Sequence, residues 1–182
     1  HGPMLSSFKE NFIDYNYLHM LRVLQLDNKR KIFSPPNSPV KVLNPGIGRG
    51  RIWGGNMTLL INRLGTPNAL FTENIILFLE DVNEYLYSFE RNLIQMYESK
   101  MLNNINGLII GELYNFKDEP VPFNKNTDEI VMDICNKLDI PIISNFPCGH
   151  GKYQCTLPVS VPVELNVTSN KPYIEILEDA VQ

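Results

Sequence analysis

The segment 75–93 constrains the fold more than any other part of the sequence. Residues 75–79 form an uninterrupted apolar run, rich in β-branched and aromatic side chains, that is too short for a helix core and therefore predicts a buried strand. Glu80 and Asp81 follow this run directly. Apolar residues then recur on one helical face, at Tyr85, Phe89, Leu93 and Met96. Because ligands collect at the carboxyl ends of such strands in open α/β sheets, Glu80 is the first candidate for a functional residue.

Strand and helix patterns alternate along most of the chain. The apolar spacing predicts a helix over 12–26, a short strand at 51–53, a helix over 57–64, and a helix after Glu80 that ends near residue 101. It also predicts a strand over 107–111, a helix over 128–138 capped by Thr127, and a strand over 140–144. Residues 156–167 and 171–177 alternate like an antiparallel hairpin. The fold class predicted is α/β with a mixed sheet.

A segment rich in proline and glycine divides the sequence. Four prolines and three glycines lie within residues 35–50, a composition typical of a linker that is stiff first and flexible second. We therefore predict that residues 1–34 end one domain and that residues 51–182 form a second domain.

Composition excludes several classes of partner. The net charge of −4 argues against a nucleic-acid partner or an anionic membrane surface, since both require a basic face. Three cysteines favour a reducing compartment without a disulfide framework. No apolar run approaches the roughly 18 residues of a membrane span, and no signal peptide is visible. These features predict a cytoplasmic location.

Three candidate groups follow predicted strands. Glycines at a strand-to-helix turn, here Gly54 and Gly55 before Asn56, allow a ligand to approach backbone N–H groups, although on spacing alone a tight turn is the more common reason for them. Glu80 fits a catalytic carboxylate or the first turn of a helix. His150 lies between two glycines in the loop 145–151, where packing gives no reason for an imidazole. A histidine with a carboxylate suits a general base whose ring is held in one tautomer.

Two other interpretations use the same region. Cys148, two residues before His150, could be nominated as a thiolate nucleophile, but the geometry expected of the loop argues against this pair. Cys148, His150 and Cys155 are possible zinc ligands, and a metal hydrolase would use Glu80, Asp81 and His150. Neither set has the additional ligands that a zinc site requires, so we expect no metal and no cofactor.

Four segments, taken in order, resemble one known family. They are GRIWGGNMTLL (50–60), LFLEDVNEYLYSFERNLIQM (77–96), INGLIIGEL (105–113) and PIISNFPCGHG (141–151). Together they resemble the LD-carboxypeptidase family of serine peptidases, which includes muramoyltetrapeptide carboxypeptidases and microcin C self-immunity proteins. The sequence HGPM (1–4) also lies where the family has it, upstream of the first helix; His1 itself, as a terminal residue, receives no role.

The resemblance implies a Ser-Glu-His triad with Glu80 and His150 as two members. The family's serine lies in a Gly-x-Ser-Asp turn of a Rossmann-like N-terminal domain, and this sequence contains no such turn. Residues 1–34 would then be the end of that domain and 51–182 a C-terminal domain resembling a swivelling β/α barrel. The expected nucleophile lies upstream, the chain alone is expected to be inactive, and the expected assembly is a homodimer with its site between the two domains.

The implied reaction is hydrolysis of the bond before a C-terminal D-amino acid of a peptidoglycan peptide. The short segment 29–49 favours this branch over the microcin branch, whose substrate is a peptide-nucleotide. A further alternative is a relative without a nucleophile that only binds. The expected substrate-binding residues are Trp53, Gly54, Gly55 and Asn56; Trp53 would stack on an adenine or a sugar face, or else serve in packing.

Overall fold

The structure is a computed structural model that describes residues 1–4, 13–24, 31–70 and 72–180. Its helices are α1 (Asp14–Leu24), α2 (Met57–Ile61), α3 (Leu86–Glu98) and α4 (Thr127–Cys135). Its strands are β1 (Lys31–Phe33), β2 (Lys41–Asn44), β3 (Ile47–Asn56), β4 (Ile75–Val82), β5 (Ile105–Tyr114), β6 (Ile142–Gly149), β7 (Pro162–Asn166) and β8 (Tyr173–Ile176). The predicted ends of the first helix, residues 12, 25 and 26, lie outside the described residues.

One mixed sheet contains all eight of these strands, in the order β1-β8-β7-β3-β4-β5-β6-β2. The four strands β3, β4, β5 and β6 are parallel neighbours. Antiparallel strands flank them, with β7, β8 and β1 on one side and β2 on the other. The predicted α/β class with a mixed sheet is confirmed, and so is the C-terminal antiparallel hairpin, although its first strand begins at Pro162 rather than at residue 156.

Two strands occupy the region predicted to be a linker. Strand β2 pairs with β6, and β3 begins at Ile47 rather than at residue 51, because its first residues pair antiparallel with β7. The proline- and glycine-rich segment therefore contributes to the sheet as well as connecting elements. The domain limits 1–34, 35–50 and 51–182 remain predictions.

Strand β4 lies at the centre of the sheet and separates two apolar cores. Ile76 and Phe78 point to one face, where they pack with Val23 of α1 and with the C-terminal strands. The intervening residues Ile75, Leu77 and Leu79 point to the other face, which α2, α3 and α4 cover. Alternation along the strand therefore directs Glu80 to the Phe78 face and Asp81 to the helix-covered face.

The cap of α4 differs from the prediction by one residue. Asn126, not Thr127, is the N-cap: its side chain accepts hydrogen bonds from the N–H groups of Asp128 and Glu129, and Glu129 accepts from the Asn126 N–H. This reciprocal capping box satisfies otherwise unpaired donors of the first turn. Among the described residues no helix is long and apolar enough to cross a bilayer.

Candidate active site

Glu80 and His150 meet at the carboxyl ends of the parallel strands. His150 Nε2 lies 3.4 Å from Glu80 Oε2. The Glu80 side chain is 4% exposed and that of His150 is 47% exposed, so the carboxyl is desolvated while the imidazole is accessible to a reactant. Two predicted boundaries were wrong: Glu80 lies within β4 rather than after it, and β6 runs through Gly149, so His150 is the first residue beyond it.

The two glycines around His150 let the chain turn tightly against β5. Gly149 has φ +143°, in the region that favours glycine, and a Cβ there would lie 2.9 Å from the Glu112 carbonyl oxygen. A Cβ at Gly151 would collide with the Glu112 carboxylate. Both glycines therefore bring the backbone close to Glu112, and this close approach fixes where the His150 side chain begins.

Burial dominates the electrostatics of Glu80. Desolvation raises the pKa of its carboxyl, the neighbouring His150 opposes this, and Asp81 adds a smaller upward contribution. Its Oε2 is buried and accepts no hydrogen bond from the described residues. A desolvated carboxylate in this position is best stabilised by a neighbouring cation or hydrogen-bond donor.

Asp81 has a structural role on the opposite face. Its carboxylate accepts hydrogen bonds from Asn56 Nδ2 (2.8 Å), from the Thr58 N–H (3.0 Å) and from the Thr58 hydroxyl (2.9 Å). Asn56 in turn caps α2, since its Oδ1 accepts from the Leu59 N–H at 3.1 Å. Asp81 therefore holds the turn between β3 and α2 in place.

We expect Asp81→Ala to lower the free energy of unfolding by about 2 to 4 kcal/mol, because three buried or half-buried donors lose their acceptor. Urea unfolding of the 182-residue chain, followed by the fluorescence of its single tryptophan, measures this. Asp133→Ala is the matched control, since that side chain is 56% exposed and pairs only at the surface with Lys125. Equal losses for the two variants would contradict the anchoring role of Asp81.

The backbone of Asn56 lies beside that of Glu80, but the Asn56 side chain bonds to Asp81, and Trp53 lies apart from Glu80. Asn56 and Glu80 are register partners on β3 and β4, and the backbone of Gly55 borders open space, since a Cβ there would meet nothing within 4 Å. Trp53 pairs with Leu77 and lies on the helix-covered face. There it lines a separate cavity of about 550 Å³ with Arg51 and Arg63. The substrate-binding roles of these residues remain predictions.

Cys148 is a core residue rather than an accessible thiol. It is fully buried, and desolvation holds the pKa of its thiol well above the usual range. A thiolate there is strongly disfavoured, which removes the basis of the cysteine-nucleophile interpretation. Within the described ranges, no three His, Cys, Asp or Glu side chains cluster closely enough to hold a metal ion.

We expect Cys148→Ala to leave kcat within about twofold of wild type, because the thiol is neither ionised nor accessible. The measurement is the initial rate of substrate hydrolysis by the full-length protein, with thermal unfolding as the check on folding. A loss of about a thousandfold in kcat in a folded variant would show that the Cys148 thiol takes part in hydrolysis.

Two residues that the sequence did not indicate also lie at this site. The Glu112 carboxyl packs against Gly151; burial raises its pKa and the Gly151 N–H opposes the rise, while its Oε2 has no hydrogen-bond partner among the described residues. His1 lies beside Glu80, with Nε2 3.9 Å from Oε1. Only the HGPM segment pointed towards His1, and treating that residue as a chain terminus concealed its contact.

Comparison with known proteins establishes the family. Residues 49–165 match the model of the LD-carboxypeptidase C-terminal domain. The chain belongs to the LD-carboxypeptidase family. A Bacillus subtilis relative of this family, named probable murein peptide carboxypeptidase, is 27% identical over 176 residues, which cover 96% of this chain and 55% of the relative.

Solved structures of the LD-carboxypeptidase fold agree with this assignment. Muramoyltetrapeptide carboxypeptidase from Oxalobacter formigenes superposes with a TM-score of 0.80 at 28% identity, covering 96% of this chain and 60% of that chain. MccF in complex with glutamyl sulfamoyl guanosine superposes with a TM-score of 0.81 at 18% identity over 98% of this chain and 60% of that chain, which shows a shared fold alone. The chain therefore spans a little over half the length of these relatives.

Proposed function

We propose that this chain is part of a serine LD-carboxypeptidase that removes a C-terminal D-amino acid from peptidoglycan peptides. In this proposal the chain carries the glutamate and the histidine of the catalytic triad. The observation that carries the proposal is the pairing of a desolvated Glu80 with an accessible His150 at the carboxyl ends of the parallel strands. Membership of the LD-carboxypeptidase family and the murein-directed names of relatives support the substrate class.

In the proposed mechanism His150 is the general base. It takes the proton of a serine hydroxyl supplied from outside residues 1–182, while Glu80 orients the ring and stabilises the imidazolium that forms. The serine oxygen adds to the carbonyl carbon before the terminal residue. Collapse of the tetrahedral intermediate breaks the C–N bond, and His150 returns its proton to the leaving amine. Water, deprotonated by the same imidazole, then hydrolyses the acyl-serine.

The open space beside Gly55 is the proposed place where the substrate meets the backbone of this chain. A Cβ at Gly55 would meet nothing within 4 Å, and Asn56, the next residue, is the register partner of Glu80. A substrate lying there would be close to the carboxyl end of β4, which carries Glu80. We place the reaction in the cytoplasm and in a homodimer; three buried, unbridged cysteines are compatible with a reducing compartment.

Cleavage of a peptide-nucleotide is the second candidate. Its support is the sequence likeness to the Escherichia coli protein named microcin C7 self-immunity protein MccF, which is 24% identical over 147 residues. The murein peptide is the preferred substrate class, because the identity to the murein peptide carboxypeptidase relative, 27% over 176 residues, exceeds the 24% over 147 residues to MccF, and the short segment 29–49 favours the same branch.

The test is an assay of the full-length protein from its native gene with two substrates in parallel, a murein tetrapeptide and a peptide-nucleotide. We expect D-alanine release from the tetrapeptide and a drop of about a thousandfold or more in kcat for Glu80→Gln, which removes the charge and keeps the shape. Cleavage of the peptide-nucleotide alone would favour the second candidate. Binding of tetrapeptide without any cleavage would favour a non-enzymatic relative.

A further inference from the structure

His1 places a second imidazole beside the carboxyl of Glu80. Its Nε2 lies 3.9 Å from Oε1, whereas Nε2 of His150 lies 3.4 Å from Oε2. The two oxygens of one carboxylate therefore face two different histidines. In the proposed mechanism His150 is the only histidine with a role, and His1 has none.

The backbone of His1 is fixed by the protein core. Its N–H donates to the Leu157 carbonyl at 3.0 Å, and the Leu157 N–H donates to the His1 carbonyl at 2.7 Å. Leu157 is fully buried. The next residue is Gly2, where a Cβ would lie 2.9 Å from the Thr156 hydroxyl oxygen, so glycine allows the chain to lie this close. These contacts determine where the His1 side chain starts.

The ring of His1 is oriented by an aromatic contact. It packs edge to face on Phe78, with the ring centroids 5.1 Å apart and an interplanar angle of 64°. Phe78 is fully buried and lies two residues before Glu80 on β4, so the aromatic ring and the carboxyl point to the same face of the strand. Packing on Phe78 thus directs the His1 imidazole along the strand towards Glu80.

The Glu80 carboxylate needs such a neighbour. The terminal torsion of a glutamate has a broad energy profile, so a carboxylate held by one contact can rotate away from the geometry that catalysis requires. The Glu80 side chain is 4% exposed, and water therefore does little to hold it. At 3.9 Å the contact between the His1 ring nitrogen and the carboxylate is electrostatic rather than a hydrogen bond. It limits rotation of the carboxylate from the side of Oε1.

We propose that His1 is a positioning residue that keeps the Glu80 carboxylate in the orientation that His150 requires. The inference rests on the proposed function, because its kinetic consequence is seen only if Glu80 and His150 act in hydrolysis. His1 does not touch the reacting atoms, and its effect passes through Glu80.

The test compares His1→Phe with His1→Gln in the full-length protein. Phenylalanine keeps the contact with Phe78 and removes the ring nitrogens; glutamine places an N–H donor near the position of Nε2. We expect His1→Phe to lower kcat by about tenfold with KM within about twofold, and His1→Gln to recover most of the loss, since positioning acts on the transition state. A purely structural role predicts wild-type kcat for His1→Phe, whose packing is retained, and thermal unfolding confirms folding.

A crystal structure of His1→Phe beside that of the wild type gives a result that does not depend on activity. We expect the distance from Glu80 Oε2 to His150 Nε2 to exceed about 4 Å in the variant and to stay near 3.4 Å in the wild type. An unchanged distance, or an unchanged kcat in an active protein, overturns the role of His1. If the wild type itself releases no D-alanine, the proposed function fails, and the crystallographic comparison still decides the inference.

Discussion

Replacing His150 with alanine is expected to lower kcat for D-alanine release by about ten-thousandfold, because no other group replaces the general base of a serine triad. The His150 side chain is 47% exposed, so its loss removes an accessible imidazole without opening a cavity in the core. We therefore expect the variant to fold and to bind substrate with KM near that of the wild type. Initial rates on murein tetrapeptide with the full-length protein measure both parameters.

Lys152→Ala is the matched control for His150→Ala. Lys152 is exposed and lies in the same loop, and its carbonyl rather than its side chain accepts the hydrogen bond that Asn16 donates. Its replacement tests whether any change in this loop lowers the rate. Retention of more than about a tenth of wild-type kcat by His150→Ala would contradict its role as the base.

Gly54→Ala is expected to produce a large loss of stability. A Cβ at Gly54 would collide with the backbone of Phe78, the fully buried residue of β4 that pairs with it. Neither strand can move without disturbing the central parallel pairing, so we expect a loss above about 4 kcal/mol or failure to fold. Urea unfolding of the 182-residue chain, observed by its single tryptophan, gives the value.

Gly55→Ala separates the steric clash from backbone strain. Gly54 and Gly55 have nearly the same φ, +146° and +143°, but a Cβ at Gly55 meets nothing within 4 Å. Replacing Gly55 with alanine is therefore expected to lower the free energy of unfolding only by the backbone strain of a side chain at positive φ, about 1 to 3 kcal/mol. Equal losses at the two positions would show that close approach of β3 and β4 is not the reason for Gly54.

Local sequence pattern predicted the elements well and their ends poorly. The apolar run 75–79 identified β4, but the strand continues through Val82 because Asn56 of β3 and residues of β5 pair with its last positions. The same holds for β6, which reaches Gly149 through its pairing with Glu112. Such pairing joins distant parts of the chain, so the local propensity of a segment cannot predict it.

The candidate site was predicted in part. Glu80 and His150 followed from strand ends and from the family resemblance, and the structure places their side chains 3.4 Å apart. Alternation along β4 separates Glu80 from Asp81, which the sequence analysis had placed together after the apolar run. His1 and Glu112 were missed because their contacts, with Glu80 and with Gly151, depend on how separate segments pack.

The central claim is that residues 1–182 supply two members of a triad and that the serine comes from outside them. D-Alanine release from murein tetrapeptide, measured for the full-length protein and for the 182-residue chain under the same conditions, tests it most directly. We predict steady release by the full-length protein and none by the 182-residue chain. Steady release by the 182-residue chain alone would contradict the claim, since the nucleophile would then lie within it.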